Sequence, residues 1–212
     1  MQTSSAAALA RSDATVRIAV LASGTGSNFR NLVECGRAGG LGEGRVVCLV
    51  SDRPDSGAVR WAEDQGIASW QATHKSLGGR DAWEAQAVAY LQQQQIDLIV
   101  LAGYMRLVGA ALLLPWEGRM INIHPSLLPA FPGLNAPAQA LAAGVAETGV
   151  TVHFVDAGMD TGPILAQRPV PVYPNDSLAT LTARIHEVEH ALLPCVVGQL
   201  CAKYQHSVNE SI

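Results

Sequence analysis

No run of lysine or arginine occurs anywhere in the 212 residues, and the formal charge is -4 at pH 7. A nucleic-acid backbone would meet a mildly repulsive surface, so no nucleic-acid partner is expected. Nor does any uninterrupted apolar run reach the roughly 18 residues of a membrane helix, and no membrane partner is expected either. The four cysteines, Cys35, Cys48, Cys195 and Cys201, lack CxxC spacing, and each falls in a segment that reads as helix or strand interior. Neither a zinc site nor a disulfide framework is suggested, which fits a reducing, cytoplasmic compartment. Charged residues make up only 15% of the chain against 49% hydrophobic ones, too apolar for a disordered protein and enough for one sizeable core. Repeats, low-complexity tracts and internal linkers are missing too, so a single domain over residues 15–203 is expected. Residues 1–14, rich in Ala, Ser and Thr, read as a disordered extension rather than a transit peptide, and residues 204–212 as a tail.

What is present is an alternation of strands and helices. Residues 16–21 (VRIAVL) form a short aliphatic run ending in a glycine turn, and residues 29–35 then take a helical spacing. A second strand is expected over 45–50, a helix over 58–65, a short strand over 69–72 and a long helix over 80–94 with Trp83, Ala87 and Tyr90 on one face. Residues 97–101 (DLIVL) are apolar on both faces. Continuous apolar strands separated by helices are what a parallel sheet buried on both sides requires, so the fold class is α/β, doubly wound and mostly parallel. Beyond it come a strand over 120–123, a Pro-rich loop over 125–132, a short helix near 138–143 and two strands over 149–155 and 164–172, the antiparallel C-terminal portion. A last helix opens at Asn175-Asp176-Ser177, where Asp176 or Ser177 is the N-cap and Leu178, Leu181, Ile185 and Val188 form the buried stripe.

Three segments can carry chemistry. Ser23-Gly24-Thr25-Gly26-Ser27-Asn28 lies between strand and helix, where free N–H groups and the helix dipole bind an anion. It has neither the third glycine of a dinucleotide fingerprint nor the lysine of a P-loop. A plain tight turn or a seat for a small phosphorylated ligand remains. In Asn122-Ile123-His124 the period of two sets an amide and an imidazole on one face at a strand's end, with prolines stiffening the loop that follows. In Asp156-Ala157-Gly158-Met159-Asp160, Asp156 reads as a turn former. Asp160 acquires a role only if it meets His124, where a carboxylate would favour the charged imidazolium. His153 is a further candidate for that cluster. His74 and His206 read as surface residues.

These residues resemble the folate-dependent glycinamide ribonucleotide formyltransferase family. The resemblance runs from Val16 to about Pro194 and rests on five motifs in family order: SGTGSN, AGYMRL, NIHPSLLP, HFVDAGMDTGP and LTARIHEVEH. It implies the formyltransferase fold, with a phosphate-binding Rossmann-like half over 15–103 and a folate-binding and catalytic half over 104–203. Asn122, His124 and Asp160 fall on its catalytic positions. Gly26, Ser27, Asn28, His186 and Glu189 fall on contacts to the substrate's phosphate and ribose or amine end, with His186 standing where the family usually has Gln. Arg80, Met105, Arg106, Leu107, Val108, Asn122, Asp156 and Asp160 fall on folate-contacting positions. Asn135 stands where some relatives carry a His.

The implied reaction passes the formyl group of 10-formyltetrahydrofolate, a cosubstrate, to the amine of N1-(5-phospho-D-ribosyl)glycinamide in purine biosynthesis. No metal is expected, and the chain would act as a monomer or homodimer. Negative charge develops on the formyl oxygen, and the Asn122 amide and a protonated His124 would donate to it. Ser126 reads as a loop hydrogen-bonder, since an amine nucleophile needs no acylated serine. Formyltetrahydrofolate hydrolase and the methionyl-tRNA enzyme share an Asn-x-His core, but each carries an extra domain for which this sequence leaves little room. A non-catalytic phosphosugar-binding module is the alternative from another class, and it requires Asn122, His124 and Asp160 to lie apart.

Overall fold

The computed structural model describes residues 15–209, so the extension expected over 1–14 lies outside the described residues. The strands are β1 (Val16–Leu21), β2 (Gly44–Ser51), β3 (Ala68–Gln71), β4 (Leu98–Leu101), β5 (Met120–His124), β6 (Glu147–Phe154) and β7 (Ile164–Pro171). The helices are α1 (Ser27–Arg37), α2 (Gly57–Asp64), α3 (Arg80–Gln93), α4 (Ala110–Leu113), α5 (Ala136–Ala143) and α6 (Leu178–Asn209). One seven-stranded sheet has the order β3-β2-β1-β4-β5-β6-β7. The first five strands are mutually parallel, and β6 and β7 are antiparallel to their neighbours.

The strands that read as apolar throughout are buried on both faces. In β1, Ile18 and Val20 join a core with Phe29, Leu32, Leu181 and Ile185 on one side of the sheet. Their neighbours Ala19 and Leu21 join a second core with Trp83, Leu91 and Leu112 on the other. Each Val, Leu, Ile or Phe side chain among them, taken fully from water, contributes about 1.5–3 kcal/mol before conformational entropy is charged against it. In α3 the buried stripe is Trp83, Ala87 and Leu91, with Tyr90 at its edge.

Of the two cap candidates at the last helix, one holds the role. Ser177 is the cap, its Oγ accepting from the Thr180 N–H at 3.1 Å. Asp176 is instead spent on Arg184, at 2.8 and 2.9 Å. Leu178 is exposed on the cleft rather than packed in the core, and the buried stripe starts at Leu181. The helix also continues past residue 203 to Asn209. His74 is half-buried, its ring 4.9 Å from that of Trp83. His206 lies among residues whose side chains are not described.

The chain leaves β1 for β2 on one side and returns through β3 to place β4 on the other. Loops after β1 and β4 therefore diverge at their carboxyl ends, the crevice in which parallel α/β sheets hold ligands. The Ser23 N–H donates to the Gly103 carbonyl at 3.0 Å across this point.

Candidate active site

A cleft of about 890 Å³ opens along the carboxyl ends of β1, β4 and β5. At one end lies the glycine turn. Gly26 is the residue before α1 and has φ 76°, and a Cβ there would stand 2.7 Å from that of Ala58. Both the left-handed backbone and the close approach of α2 demand glycine. Ser27 and Asn28 then present the first turn of α1 to the cleft, where its N–H groups have no helical acceptors.

Opposite this turn, α6 contributes His186 and Glu189. Glu189 is 5% exposed, and its Oε2 accepts from Asn28 Nδ2 at 2.9 Å. Burial pushes its carboxyl up, while Asn28 and then His186, whose Nε2 lies 4.0 Å away, oppose that rise. On the same helix the His190 carbonyl accepts from Asn31 Nδ2 at 2.8 Å. Asn28 Oδ1 is buried with no partner among the described residues. Asn28 lines the cleft.

In the middle of the cleft β5 ends. Asn122 and His124 share a face of the strand, as the period of two requires. Asp160 reaches them from the loop between β6 and β7, with a backbone φ of 57°, a left-handed conformation that Asp tolerates better than most residues. Its Oδ2 accepts from the Gly133 N–H at 2.7 Å and lies 3.4 Å from His124 Nδ1. Its Oδ1 accepts from Asn122 Nδ2 at 3.3 Å and lies 3.6 Å from His153 Nε2. The His153 hydrogen bond is the largest influence holding the Asp160 carboxyl down, to about 2, with the Gly133 N–H and the two imidazoles adding to it against burial.

The ring orientations are fixed from behind. His124 Nε2 lies 2.8 Å from the Phe131 carbonyl, and His153 Nδ1 lies 2.7 Å from the Phe154 carbonyl. A carbonyl only accepts, so those nitrogens carry hydrogen and the opposite ones face Asp160. His153 Nε2 meets two partners, Asn122 Nδ2 at 3.1 Å and Asp160 Oδ1 at 3.6 Å, and it accepts from the amide when it carries no hydrogen and donates to the carboxylate when it does. Ser126 is buried and donates to the Ala130 carbonyl at 2.5 Å, which keeps it a loop hydrogen-bonder.

The remaining cleft wall is residues 103–108. Met105 and Leu107 are 53% and 59% exposed and face the opening with Arg106 and Val108. Asp156 lines the cleft as well, yet its Oδ1 is occupied by Gly158 N–H and Thr161 Oγ1 at 3.0 and 2.8 Å, the bonds of a turn. Asn135 also lines it. Arg80 does not: it opens α3 and turns outward to its neighbour Asp81, 3.6 Å away, where both are solvated.

The groups that sequence reasoning missed are mostly backbone: the Phe131 carbonyl and the Gly133 N–H carry no residue signature. Asp52 was missed for another reason. It ends an apolar strand (VVCLVSD), and an acid directly after such a run is a readable sign of a carboxylate at the sheet's carboxyl edge.

Residues 16–197 match the formyl transferase family. A phosphoribosylglycinamide formyltransferase of Bacillus subtilis is 45% identical over 184 residues, covering 87% of this chain and 94% of the relative. A trifunctional purine biosynthetic protein of Drosophila melanogaster is 44% identical over 185 residues, but the chain spans only 14% of that protein's length. The crystal structure of phosphoribosylglycinamide formyltransferase from Bacillus halodurans superimposes with a TM-score of 0.85 at 46% identity, covering 89% of this chain and 96% of that one.

Proposed function

The chain belongs to the formyl transferase family, and we propose that its cleft moves the formyl group of 10-formyltetrahydrofolate to the amine of N1-(5-phospho-D-ribosyl)glycinamide, a step of purine biosynthesis. The observation that carries this reading is the gathering of Asn122, His124 and His153 around Asp160, in one cleft with the phosphate-type turn at Gly26.

The amine attacks the formyl carbon, a C–N bond forms, and the carbonyl pair moves onto oxygen. Collapse of the tetrahedral adduct breaks the bond to the folate nitrogen, which leaves as tetrahydrofolate after taking a proton that the attacking amine gives up. Asn122 and His124 are the donors for the oxyanion. In the resting site both Asn122 N–H groups are occupied, one by Asp160 and one by His153, so the amide is already aimed and exchanges a partner rather than reorganising. Asp160 pairs with the charged His124 and can hold the water that relays the proton.

No step calls for a metal, because the nucleophile is a free amine and the charge that develops is met by fixed donors. The turn at Gly26, Ser27 and Asn28 would take the substrate phosphate, with His186 and Glu189 closing over the ribose and amine end. Residues 105–108 with Asp156 would take the folate. A cytoplasmic location fits four cysteines that are all unpaired.

Purified protein, mixed with both substrates and followed by loss of the folate formyl group, tests the assignment. His124→Ala and Asp160→Ala should each abolish most of the turnover. Near-wild-type transfer by either variant would refute the assigned roles.

A further inference from the structure

The cleft wall at residues 103–109 is fastened from below at several points. Gly103 accepts from the Ser23 N–H at 3.0 Å, and the Met105 N–H donates to Ser23 Oγ at 3.1 Å. That same Oγ donates to Asp52 Oδ1 at 2.5 Å, and Asp52 Oδ2 takes Arg106 Nε at 3.0 Å. At the far end the Gly109 N–H donates to the buried Glu84 at 2.7 Å.

Asp52 stands apart in this set. Its side chain is 1% exposed while its partner Arg106 is 53% exposed, and it is absent from the cleft's lining. It follows β2, whereas Arg106 follows β4, and β1 with Ser23 lies between the two strands. The carboxylate thus reaches across the top of β1 through Ser23 to hold a loop from the far side. Burying a carboxylate costs several kcal/mol that a pair recovers only in part, and an apolar substitute is often as stable. Stability alone does not account for such a group beneath an exposed loop. Holding Arg106 and the adjoining backbone in one conformation does.

We propose that Asp52, held by Ser23, is a positioning residue for the folate side of the cleft: it fixes Arg106 and the loop 103–109 in the conformation that receives the cosubstrate. The proposal rests on the functional reading above. Since Asp52 touches neither reactant, its loss weakens capture of one substrate and leaves the chemistry at Asn122, His124 and Asp160 alone.

Steady-state kinetics on Asp52→Asn, Arg106→Gln and the double variant test it. Asp52→Asn should raise KM for 10-formyltetrahydrofolate about tenfold, with KM for the phosphoribosyl substrate and kcat each within roughly threefold of wild type. Introduced into Arg106→Gln, it should add nothing further, because the bond it serves is already gone. Equal rises in both KM values, a fall in kcat with unchanged KM, or independent multiplication of the two effects would overturn the proposal. Should Asp52→Asn fail to fold, Asp52→Glu, which keeps the charge but displaces the carboxylate, asks the same question in the wild-type and Arg106→Gln backgrounds. Titration with tetrahydrofolate separates the two levels of the argument. A wild-type chain that binds this folate but transfers nothing refutes the reaction, while the dissociation constants of the variants still decide the role of Asp52. A wild-type chain that binds no folate overturns both.

Discussion

Asp160 Oδ2 lies 3.4 Å from His124 Nδ1, while the Phe131 carbonyl takes the other nitrogen of that ring at 2.8 Å. With Nε2 committed to a carbonyl, a second ring proton can sit only on Nδ1, and a doubly protonated ring is a cation. The nitrogen that can serve a developing oxyanion is therefore the one that faces a carboxylate. Asn122, His124 and Asp160 stand together, whereas a non-catalytic phosphosugar-binding module requires them apart.

Asn122→Ala removes one of the two oxyanion donors and leaves His153 Nε2 without its amide partner. Loss of one such donor typically costs about 2.7–4 kcal/mol, so kcat should fall roughly a hundred- to a thousand-fold. Both KM values should stay near wild type, because the interaction strengthens only as charge develops. Single-turnover measurement with saturating substrates checks this.

Asp160 ties pH to stability. Its carboxyl is lowered in the fold from 3.8 to about 2, so the folded state prefers the ionised form. That preference stabilises the fold fully above pH 3.8 and is lost as pH falls through about 2. Urea unfolding of wild type and Asp160→Asn at stepped pH should show their stability difference shrinking across that window and constant above it. A difference that grew as pH fell would show that the sign is wrong.

The sheet was legible because its signal is local. Strands such as residues 16–21 and 98–101 are apolar on both faces, and that alone implies helices on both sides. Asn122 and His124 were legible for the same reason, since a period of two fixes their common face. Asp160 was not: a loop far along the chain reaches β5 only through the pairing of β5 with β6, which no spacing encodes. Arg80, placed by resemblance alone, opens α3 beside Asp81, where both side chains are solvated. Asp52 follows a readable apolar run, but its partners come from two other strand ends, after β1 and after β4, which no spacing encodes.

Gly26→Ala tests the turn. The added Cβ meets Ala58 Cβ at 2.7 Å and Ala58 Cα at 2.9 Å, in a backbone with φ 76°, so strain and a clash with α2 act together. The left-handed conformation and the shift of α2 should together cost about 1–3 kcal/mol, read as a lower Tm. If the turn seats the phosphate, KM for the phosphoribosyl substrate should rise well beyond the change in KM for the folate. Equal changes would mean that the turn is structural only.

Glu189 separates binding from stability most cleanly. Its carboxyl is pushed up from 4.5 by burial, so the folded state disfavours the ionised form, and the cost appears as pH rises through the unfolded value. Ionising Glu189 therefore works against the fold, and its contact with Asn28 only partly offsets that cost. Glu189→Gln keeps the shape and an acceptor for the Asn28 amide while removing the charge. Tm at neutral pH should hold or rise, and the gain should vanish in acid where the native residue is protonated. If the charge serves the ribose or amine end of the substrate, KM for the phosphoribosyl substrate should rise about tenfold, the worth of one hydrogen bond to a charged group. A variant less stable than wild type at neutral pH would show that the carboxylate holds the fold together, and an unchanged KM would remove Glu189 from the substrate site.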